Sequence, residues 1–268
     1  MAITTIDGII AGAKPPVEFE KSLSGTLVAA RPHSYFYTTG IPGPAIASTA
    51  GIGGEVLTTY PGQLPFTNPV SGNSYLTRFI AQCTQNGTVL LCDRLWQNSD
   101  IDETSTGEQL FTSSAQIPAR DANGTTDGDE VLAAVEVSST MGAGTPTITL
   151  KYTNQDGTAG QTATNINPVN ASSIAGTFYQ IGLAAGDTGI RKAQSITLSA
   201  TMTSGVIHVV LYRVLARLEI TTAQVPNSLD SLTGGFTRMY DNTVPFLVFI
   251  PQTTTTSQLR GQMVYAQG

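Results

Sequence analysis

Hydrophobic residues in this chain alternate with polar ones over short segments, a pattern typical of β-strands that bury one face. Ile148, Leu150 and Tyr152 alternate with threonine and lysine. Residues Pro245–Pro251 are apolar almost without interruption, which indicates a strand buried on both faces, and 259–268 alternate again up to the last residue. A 3.6-residue period is not sustained over three turns anywhere, so the pattern predicts little helix.

The segment 206–220 fits two interpretations. Arg213 and Arg217 lie four positions apart among valine, leucine and alanine, which would suit a helix. A period of two fits better, because it places one set of residues on a single face: Tyr212, Val214, Ala216, Leu218 and Ile220. We therefore predict a long strand here.

Turn-forming residues divide the chain into regions. These are an extended N-terminal arm (1–25), a turn-rich β region (26–120), a β-sandwich meander (121–220) and C-terminal strands that complete the sheets (221–268). Pro15 and Pro16 exclude a helix in the arm. A hairpin is predicted over 75–96, and the one helix candidate after residue 220 is short, at 228–232. The length suits one large all-β domain or two smaller ones.

The predicted fold is therefore all-β, a β-sandwich or jelly-roll-like arrangement with an extended N-terminal arm and little helix. A barrel is the other architecture that strands of this spacing can form.

The two cysteines fall on the predicted hairpin. If Asn86 and Gly87 form its two-residue turn, Cys83 and Cys92 share a face but lie diagonally across the strands. Diagonal neighbours are about 7–8 Å apart, beyond the usual span of a disulfide. We expect two buried free thiols.

The composition favours surfaces that other chains cover. Charged residues make up 12% and hydrophobic residues 40%, so the polar surface consists mainly of Thr, Ser, Asn and Gln. Interface cores are depleted in charge in the same way. The net charge is −6 with 13 basic residues, which argues against a nucleic-acid partner because such binding needs clustered cations.

Acidic residues are concentrated between Asp93 and Glu136, where the basic residues are Arg94 and Arg120. A solvated acidic loop region is one interpretation, and an acidic patch that docks on a basic partner is the other. Residues 1–14 have no cationic start before their apolar positions, and these are too few to span a bilayer. We expect no membrane partner and folding in the cytoplasm where the chain is made.

Candidate catalytic groups are sparse. The histidines are His33, which follows a proline, and His208, which lies inside a strand, and no Gly-x-Ser-x-Gly elbow is present. We expect structural roles for both and predict no catalytic residues, no cofactor and no small-molecule substrate. Trp96, the single tryptophan, is expected in the core or as an interface anchor.

One loop carries oxygen ligands at spaced positions: Asp121, Asn123, Asp127 and Asp129. It departs from the EF-hand pattern, since Thr126 replaces the required glycine and Leu132 replaces the bidentate glutamate. We predict no resident metal and keep the loop as a weak candidate beside the interpretation of an acidic turn.

Several strings resemble phrases found in structural proteins of tailed bacteriophages. They are ITLKYTNQDGTAG at 148–160, AAGDTGIR at 184–191 with QSITLS at 194–199, RMYDNTVPFLVFIP at 238–251, and YAQG at 265–268. These are strand-and-turn phrases that cover a modest part of the chain and define no chemistry. The resemblance implies a virion component, and we expect a decoration or cement protein on the outer surface of the capsid.

The composition and the resemblance together predict a non-enzymatic protein that stabilises a capsid through β contacts between subunits. The expected partners are the major capsid protein and further copies of the chain, with a trimer favoured. Val17, Phe19 and Trp96 are the predicted interface residues. A tail or baseplate component and a glycan-binding β-sandwich protein remain as alternatives.

Overall fold

The computed structural model describes residues 3, 5–23, 25–112 and 117–268. Within them lie two short helices, α1 (Ile6–Gly12) and α2 (Ser231–Gly234). The strands in chain order are β1 Val17–Leu23, β2 His33–Ser34, β3 Gly40–Ile41, β4 Glu55–Val56, β5 Ser74–Cys83, β6 Gly87–Gln97, β7 Gln109–Leu110, β8 Val131–Ser139, β9 Ile148–Asn154, β10 Gln161–Thr164, β11 Phe178–Gln180, β12 Ile190–Leu198, β13 Val206–Ile220, β14 Asn227–Asp230, β15 Arg238–Met239, β16 Pro245–Pro251 and β17 Ser257–Gln267. Strands hold 43% of the residues and helices 4%, so the predicted all-β, sandwich-like fold is confirmed.

The central element is a seven-stranded antiparallel sheet in the order β11-β8-β13-β6-β16-β2, with β4 paired to β6. Its two edges come together, because the Ser34 amide donates to the Gly176 carbonyl at 2.7 Å and the Phe178 amide donates to the Pro32 carbonyl at 3.0 Å. The sheet therefore curls into a small barrel, which leaves its edge strands paired.

Aromatic side chains fill the enclosed face of the barrel. Phe178 packs edge-on against Tyr212 with ring centroids 5.1 Å apart, and Phe246 contacts both rings. The buried residues of this cluster are Phe36, Leu90, Cys92, Ala134, Phe178, Val210, Tyr212, Phe246 and Val248. Such edge-to-face contacts stabilise the core beyond the burial of apolar area, and they favour one relative orientation of the rings.

Two further sheets pack on the outer side of the barrel. A four-stranded sheet, β10-β9-β12-β7, covers one part and a six-stranded sheet, β14-β5-β17-β1-β3 with β15 on β5, covers another. A separate hydrophobic core lies between the barrel and each of these sheets. The core under the four-stranded sheet contains Val135 and Leu150, and the core under the six-stranded sheet contains Phe79 and Leu91. The molecule is thus two sandwiches that share the central sheet.

Strand β13 contributes side chains to the cores of both sandwiches, and it contains a β-bulge. In its pairing with β6 the register shifts twice: Leu95 is the extra residue on β6, and Leu215 is the extra residue on β13, between Val214 and Ala216. An inserted residue moves the following side chains to the opposite face of a strand. The predicted long strand is present, but the prediction that Tyr212 and Val214 share a face with Ala216 is wrong: the first two contact the barrel interior, and Ala216 lies in the core under the six-stranded sheet.

The predicted hairpin over 75–96 is wrong. Both of its strands exist as β5 and β6, but β5 pairs with β17 and β14 in the six-stranded sheet, whereas β6 pairs with β13 and β16 in the barrel. The chain crosses between sheets at residues 84–86, and an Asn-Gly turn signal does not determine which strands pair afterwards. Cys83 and Cys92 consequently lie in different cores, and both are buried free thiols, as expected.

The N-terminal segment is not a free arm. Residues 17–23 form β1, which pairs with β17 along its whole length and with β3 at Glu20 and Lys21. The buried Lys21 ammonium donates to the carbonyls of Thr38 (3.1 Å), Pro42 (2.7 Å) and Gly43 (3.2 Å). Burial lowers the pKa of Lys21 to about 8. This segment is therefore a fixed part of the sheet, and residues 6–12 before it are helical.

The predicted meander over 121–220 is divided between two sheets. Strands β8, β11 and β13 belong to the barrel, and β9, β10 and β12 belong to the four-stranded sheet. The helix candidate at 228–232 is partly strand: β14 runs to Asp230, which caps the single helical turn of α2 by accepting from the amides of Leu232 and Thr233. The apolar run before Pro251 and the alternating end of the chain form β16 and β17, as predicted.

Candidate functional site

A buried ion pair lies inside the barrel. The Arg94 Nη2 atom is 2.6 Å from Glu136 Oε2, and both side chains are fully buried. The guanidinium stacks 4.5 Å from the centroid of the Phe36 ring, and its Nε donates to Gln97 Oε1 at 2.8 Å. Burial lowers the pKa of Arg94, but the Glu136 carboxylate together with Tyr37 and Tyr60 more than offsets this, so the pKa is raised overall and the arginine stays charged.

A second buried ion pair lies on the outer face of the same sheet, between the two cores. Arg120 Nε is 3.1 Å from Asp93 Oδ2, while Asp93 Oδ1 accepts from the Val244 amide at 2.8 Å. Arg213 donates to the Arg238 carbonyl at 2.7 Å. Burial raises the pKa of Asp93, with the Arg120 charge acting in the opposite direction. These contacts connect strands β6 and β13 to the loops around residues 120 and 240. Their role is to hold these segments of the chain together.

The acidic residues between 93 and 136 do not form one surface patch. Asp93, Asp121 and Glu136 are buried, and each has basic or backbone partners inside the chain. The interpretation of this whole stretch as a solvated acidic region is therefore wrong for these three residues. A pattern of charges along the sequence cannot show which carboxylates lie inside a barrel.

His208 is held on both ring nitrogens. Nδ1 is 2.8 Å from the Asn98 carbonyl oxygen and Nε2 is 2.7 Å from Ser138 Oγ, inside the barrel wall. Burial lowers the pKa of His208, so the ring is neutral at pH 7. Its contacts fit the structural role expected from the sequence. His33 is also buried, and burial lowers its pKa to about 3.

The candidate metal loop is held together by its own hydrogen bonds. Asp121 Oδ1 accepts from the amides of Asn123 (3.0 Å) and Thr125 (2.7 Å), and Oδ2 accepts from Thr125 Oγ1 (2.6 Å) and the Gly128 amide (3.0 Å). Asp127 pairs with Arg191. Within the described residues, no group of three or more His, Cys, Asp or Glu side chains is placed to hold a metal ion.

Replacing Asp121 by Ala should lower the free energy of unfolding by about 1–3 kcal/mol, because it leaves buried backbone amides without an acceptor. Burial raises the pKa of Asp121, but the hydrogen bonds from Thr125, Gly128 and Asn123 outweigh it, and the folded pKa is lowered. The carboxylate's contribution is therefore complete at neutral pH and is lost as the pH falls below the ordinary aspartate value of about 4. Urea unfolding of both proteins at pH 7 and pH 3 measures the difference.

Asp127→Ala is the matched control in the same loop. Its side chain is half-exposed and pairs with Arg191, so the change should cost less than about 1 kcal/mol. Added Ca²⁺ should leave the melting temperature of the parent protein unchanged. A calcium-dependent rise that both substitutions abolish would instead establish a metal site.

The structure corrects two of the predicted interface residues. Phe19 is buried in the core under the six-stranded sheet, where its ring stacks 6.0 Å from that of Phe79. Trp96 is buried in the other core, 5.9 Å from the ring of Phe111. Val17 is half-buried at the start of β1 and packs against the first of these cores. Phe19 and Trp96 therefore have their partners inside the chain.

A different surface is apolar and exposed. Helix α1 contains Ile6 and Ile10, which are 70% and 69% exposed, and no residue of this helix is buried. Across a cleft of about 520 Å³ lie Leu232, which is 86% exposed, and Phe236, which is 45% exposed. We call these four side chains the α1–α2 patch: Ile6, Leu232 and Phe236 line the cleft, and Ile10 lies one helical turn from Ile6. Large apolar side chains grouped in this way mark interaction sites.

The sequence contained a signal for this patch. Thr5 caps α1, with its Oγ1 accepting from the Gly8 amide at 3.1 Å, and apolar residues follow at 6, 9 and 10 with helical spacing. The helix has only seven residues, which is too short for a confident prediction from periodicity. Neither helix of the described chain has the length and apolarity needed to cross a membrane.

Comparison with protein-family models found no match, and comparison with curated proteins found none. Among solved structures, the chain is weakly similar to the infectious bursal disease virus VP2 subviral particle, with a TM-score of 0.24 and 8% identity over 96% of this chain and 81% of that one. The structure of infectious bursal disease virus strain Gt gives a TM-score of 0.20 and 10% identity over 95% of this chain and 82% of that one. A likeness at these scores does not define the function of the chain.

Proposed function

We propose that this chain is a non-enzymatic structural component of a tailed-bacteriophage virion, namely a head decoration protein on the outer capsid surface. Its partners would be the major capsid protein and copies of itself, with a trimer as the favoured oligomer. The proposal is supported by the resemblance of its strand-and-turn strings to phage structural proteins and by its low content of charged residues, 12%.

The observation that carries the proposal is the exposure of α1. A seven-residue helix is below the length at which helices persist in water without tertiary packing, about 12–15 residues. Within the described residues helix α1 buries no side chain, and its C-terminal end adjoins β17, where Ala13 bridges to Ala266 and the Lys14 amide donates to the Tyr265 carbonyl at 2.9 Å. Its isoleucines need a partner surface, and contact with neighbouring subunits would supply one.

The barrel and the two sandwiches give the subunit a rigid body for this role. The ion pair and the aromatic cluster inside the barrel fix one packing arrangement, and the α1–α2 patch lies beside the six-stranded sheet, where Ile6 of α1 and Leu232 of α2 line one cleft with Tyr75 of β5. Many equivalent copies on a particle turn a modest contact into stable attachment, because each bound subunit raises the local concentration of the next contact.

The double substitution Ile6→Ser and Leu232→Ser should abolish self-association and attachment to particles while the fold persists. Both side chains are mostly exposed, so the unfolding free energy should change by less than about 0.5 kcal/mol. Sedimentation velocity of the purified chain and co-sedimentation with particles that lack it measure the two effects.

Ile166→Ser is the matched control, since Ile166 is 65% exposed and lies in the loop after β10, away from the patch. It should leave both readouts unchanged. Equal loss of association in both variants would remove the patch from the mechanism. Copy number per particle distinguishes a decoration protein from a tail or baseplate component, which would be present in few copies.

A further inference from the structure

A cavity of about 420 Å³ opens where the loop before β2 meets the loop before β11. Residues 26–33 form one wall and residues 170–177 form the other. Its lining combines apolar side chains such as Leu27 and Ile174 with hydroxyl and amide groups, and its volume lies within the range of small-molecule sites, about 300–1,000 Å³. The α1–α2 patch is separate from it.

The charge in this cavity is positive. Arg31 is the charged residue of the described lining, and no aspartate or glutamate contributes to it, although the whole chain carries a net charge of −6. The guanidinium lies 5.5 Å from the centroid of the Tyr179 ring, and the side-chain amide of Asn170 lies beside it. The buried Nε of Arg31 has no hydrogen-bond partner among the described residues.

His33 adds a second unpartnered nitrogen. It lines the cavity with only 2% of its surface exposed, and its buried Nε2 lacks a hydrogen-bond partner within the described part of the chain. Buried polar atoms normally have a partner, and an exception calls for an explanation. A ligand oxygen that accepts from Arg31 Nε would satisfy the guanidinium, whereas His33 Nε2 lies against Gly176, where an added Cβ would be 2.5 Å from it.

The walls of the cavity are held in place without a ligand. Ala30 and Ser172 have positive φ angles, 60° and 62°, which residues with a Cβ adopt at a cost. Each is fixed by a backbone hydrogen bond, from the Ala30 amide to the Pro251 carbonyl at 2.7 Å and from the Ser172 amide to the Met141 carbonyl at 3.0 Å. Strain of this kind is concentrated at binding sites, where it keeps groups preorganised.

We propose that this cavity binds a sugar acid, with the carboxylate on Arg31 and the ring hydroxyls against the side chains of Thr26, Thr145 and Ser172. A single guanidinium matches a singly charged carboxylate, whereas phosphate sites usually gather several cations or a series of backbone amides. The ring of hydroxyl-bearing residues at the rim matches a polyol. This goes beyond the proposed structural role and is independent of it.

Titration calorimetry of the full chain with glucuronate and galacturonate tests the proposal, with glucose and acetate as the neutral-sugar and simple-carboxylate comparisons. We expect millimolar binding of a sugar acid, at least tenfold weaker binding of glucose and of acetate, and at least a tenfold loss in Arg31→Ala. Arg217→Ala, which removes an exposed arginine elsewhere, should bind as the parent does.

Arg31→Ala could also disturb the loop that carries Asn170, so a second variant is needed. Val28→Trp places a large side chain on the rim, where Val28 is 40% exposed, and should block binding without changing the melting temperature. An oligosaccharide ending in the same sugar acid would show whether a free or a polymer-linked ligand is preferred. Equal binding of glucose, or no sugar-acid binding up to about 50 mM, would overturn the proposal.

Discussion

Arg94→Met should lower the free energy of unfolding by about 3–5 kcal/mol, the largest effect expected from any single substitution in the barrel. The change leaves the Glu136 carboxylate fully buried without its guanidinium partner. It also removes the cation that lies over the rings of Phe36 and Phe246. Urea unfolding followed by tyrosine and tryptophan fluorescence measures the loss.

Two controls identify the cause. Arg217→Met breaks a pair whose members, Arg217 and Glu219, are 65% and 49% exposed, and should cost less than about 1 kcal/mol. The double variant Arg94→Met with Glu136→Leu removes both buried charges and should recover most of the stability, because an apolar pair no longer has to be desolvated as ions. If Arg94→Met were as mild as Arg217→Met, the interior ion pair would not be a structural element of the barrel.

Phe19→Ala should lower the free energy of unfolding by about 3–5 kcal/mol, because it leaves a cavity in the core under the six-stranded sheet. The ring of Phe19 stacks on Phe79 and covers Gly261, its partner on β17, where an added Cβ would lie 2.6 Å from the ring. Self-association should persist in conditions where the variant remains folded. Chemical unfolding and sedimentation velocity give the two readouts.

Val17→Ala is the comparison within the same strand, since Val17 is half-buried and should cost about 1 kcal/mol. The outcome decides whether residues 17–23 act as a core strand of the subunit or as an arm that contacts a neighbouring subunit. If Phe19→Ala left stability unchanged and removed self-association, Phe19 would be the interface anchor that the sequence predicted.

The fold class could be predicted from the sequence because period-two alternation is a local property. The segments at 148–154 and 257–267 show it clearly, the apolar run at 245–251 is typical of a strand buried on both faces, and each of the three forms a strand. Which strands pair is not local, and the error at 75–96 shows why: β5 and β6 are adjacent in the chain and lie in different sheets. The Asn86-Gly87 sequence between them is typical of a hairpin turn, but the two strands that it joins do not pair with each other.

Side-chain burial was harder to predict than strand position. Phe19 was predicted at an interface because nothing in its neighbourhood indicated the core it occupies, whereas Trp96, which was expected in the core or at an interface, lies in a core. Arg94 and Glu136 are 42 positions apart in the numbering and meet because their strands, β6 and β8, both pair with β13 in a curled sheet, so no short-range pattern could predict their pairing. Helix α1 was missed because the prolines at 15 and 16 were taken to exclude a helix from the whole preceding segment.

An image reconstruction of the assembled particle tests the central claim most directly. The proposal expects many symmetry-related copies of this chain on the outer capsid surface, with Ile6, Ile10, Leu232 and Phe236 covered by a neighbouring subunit. Density that leaves this patch facing solvent in every copy, or particles that contain no copy of the chain, would contradict it.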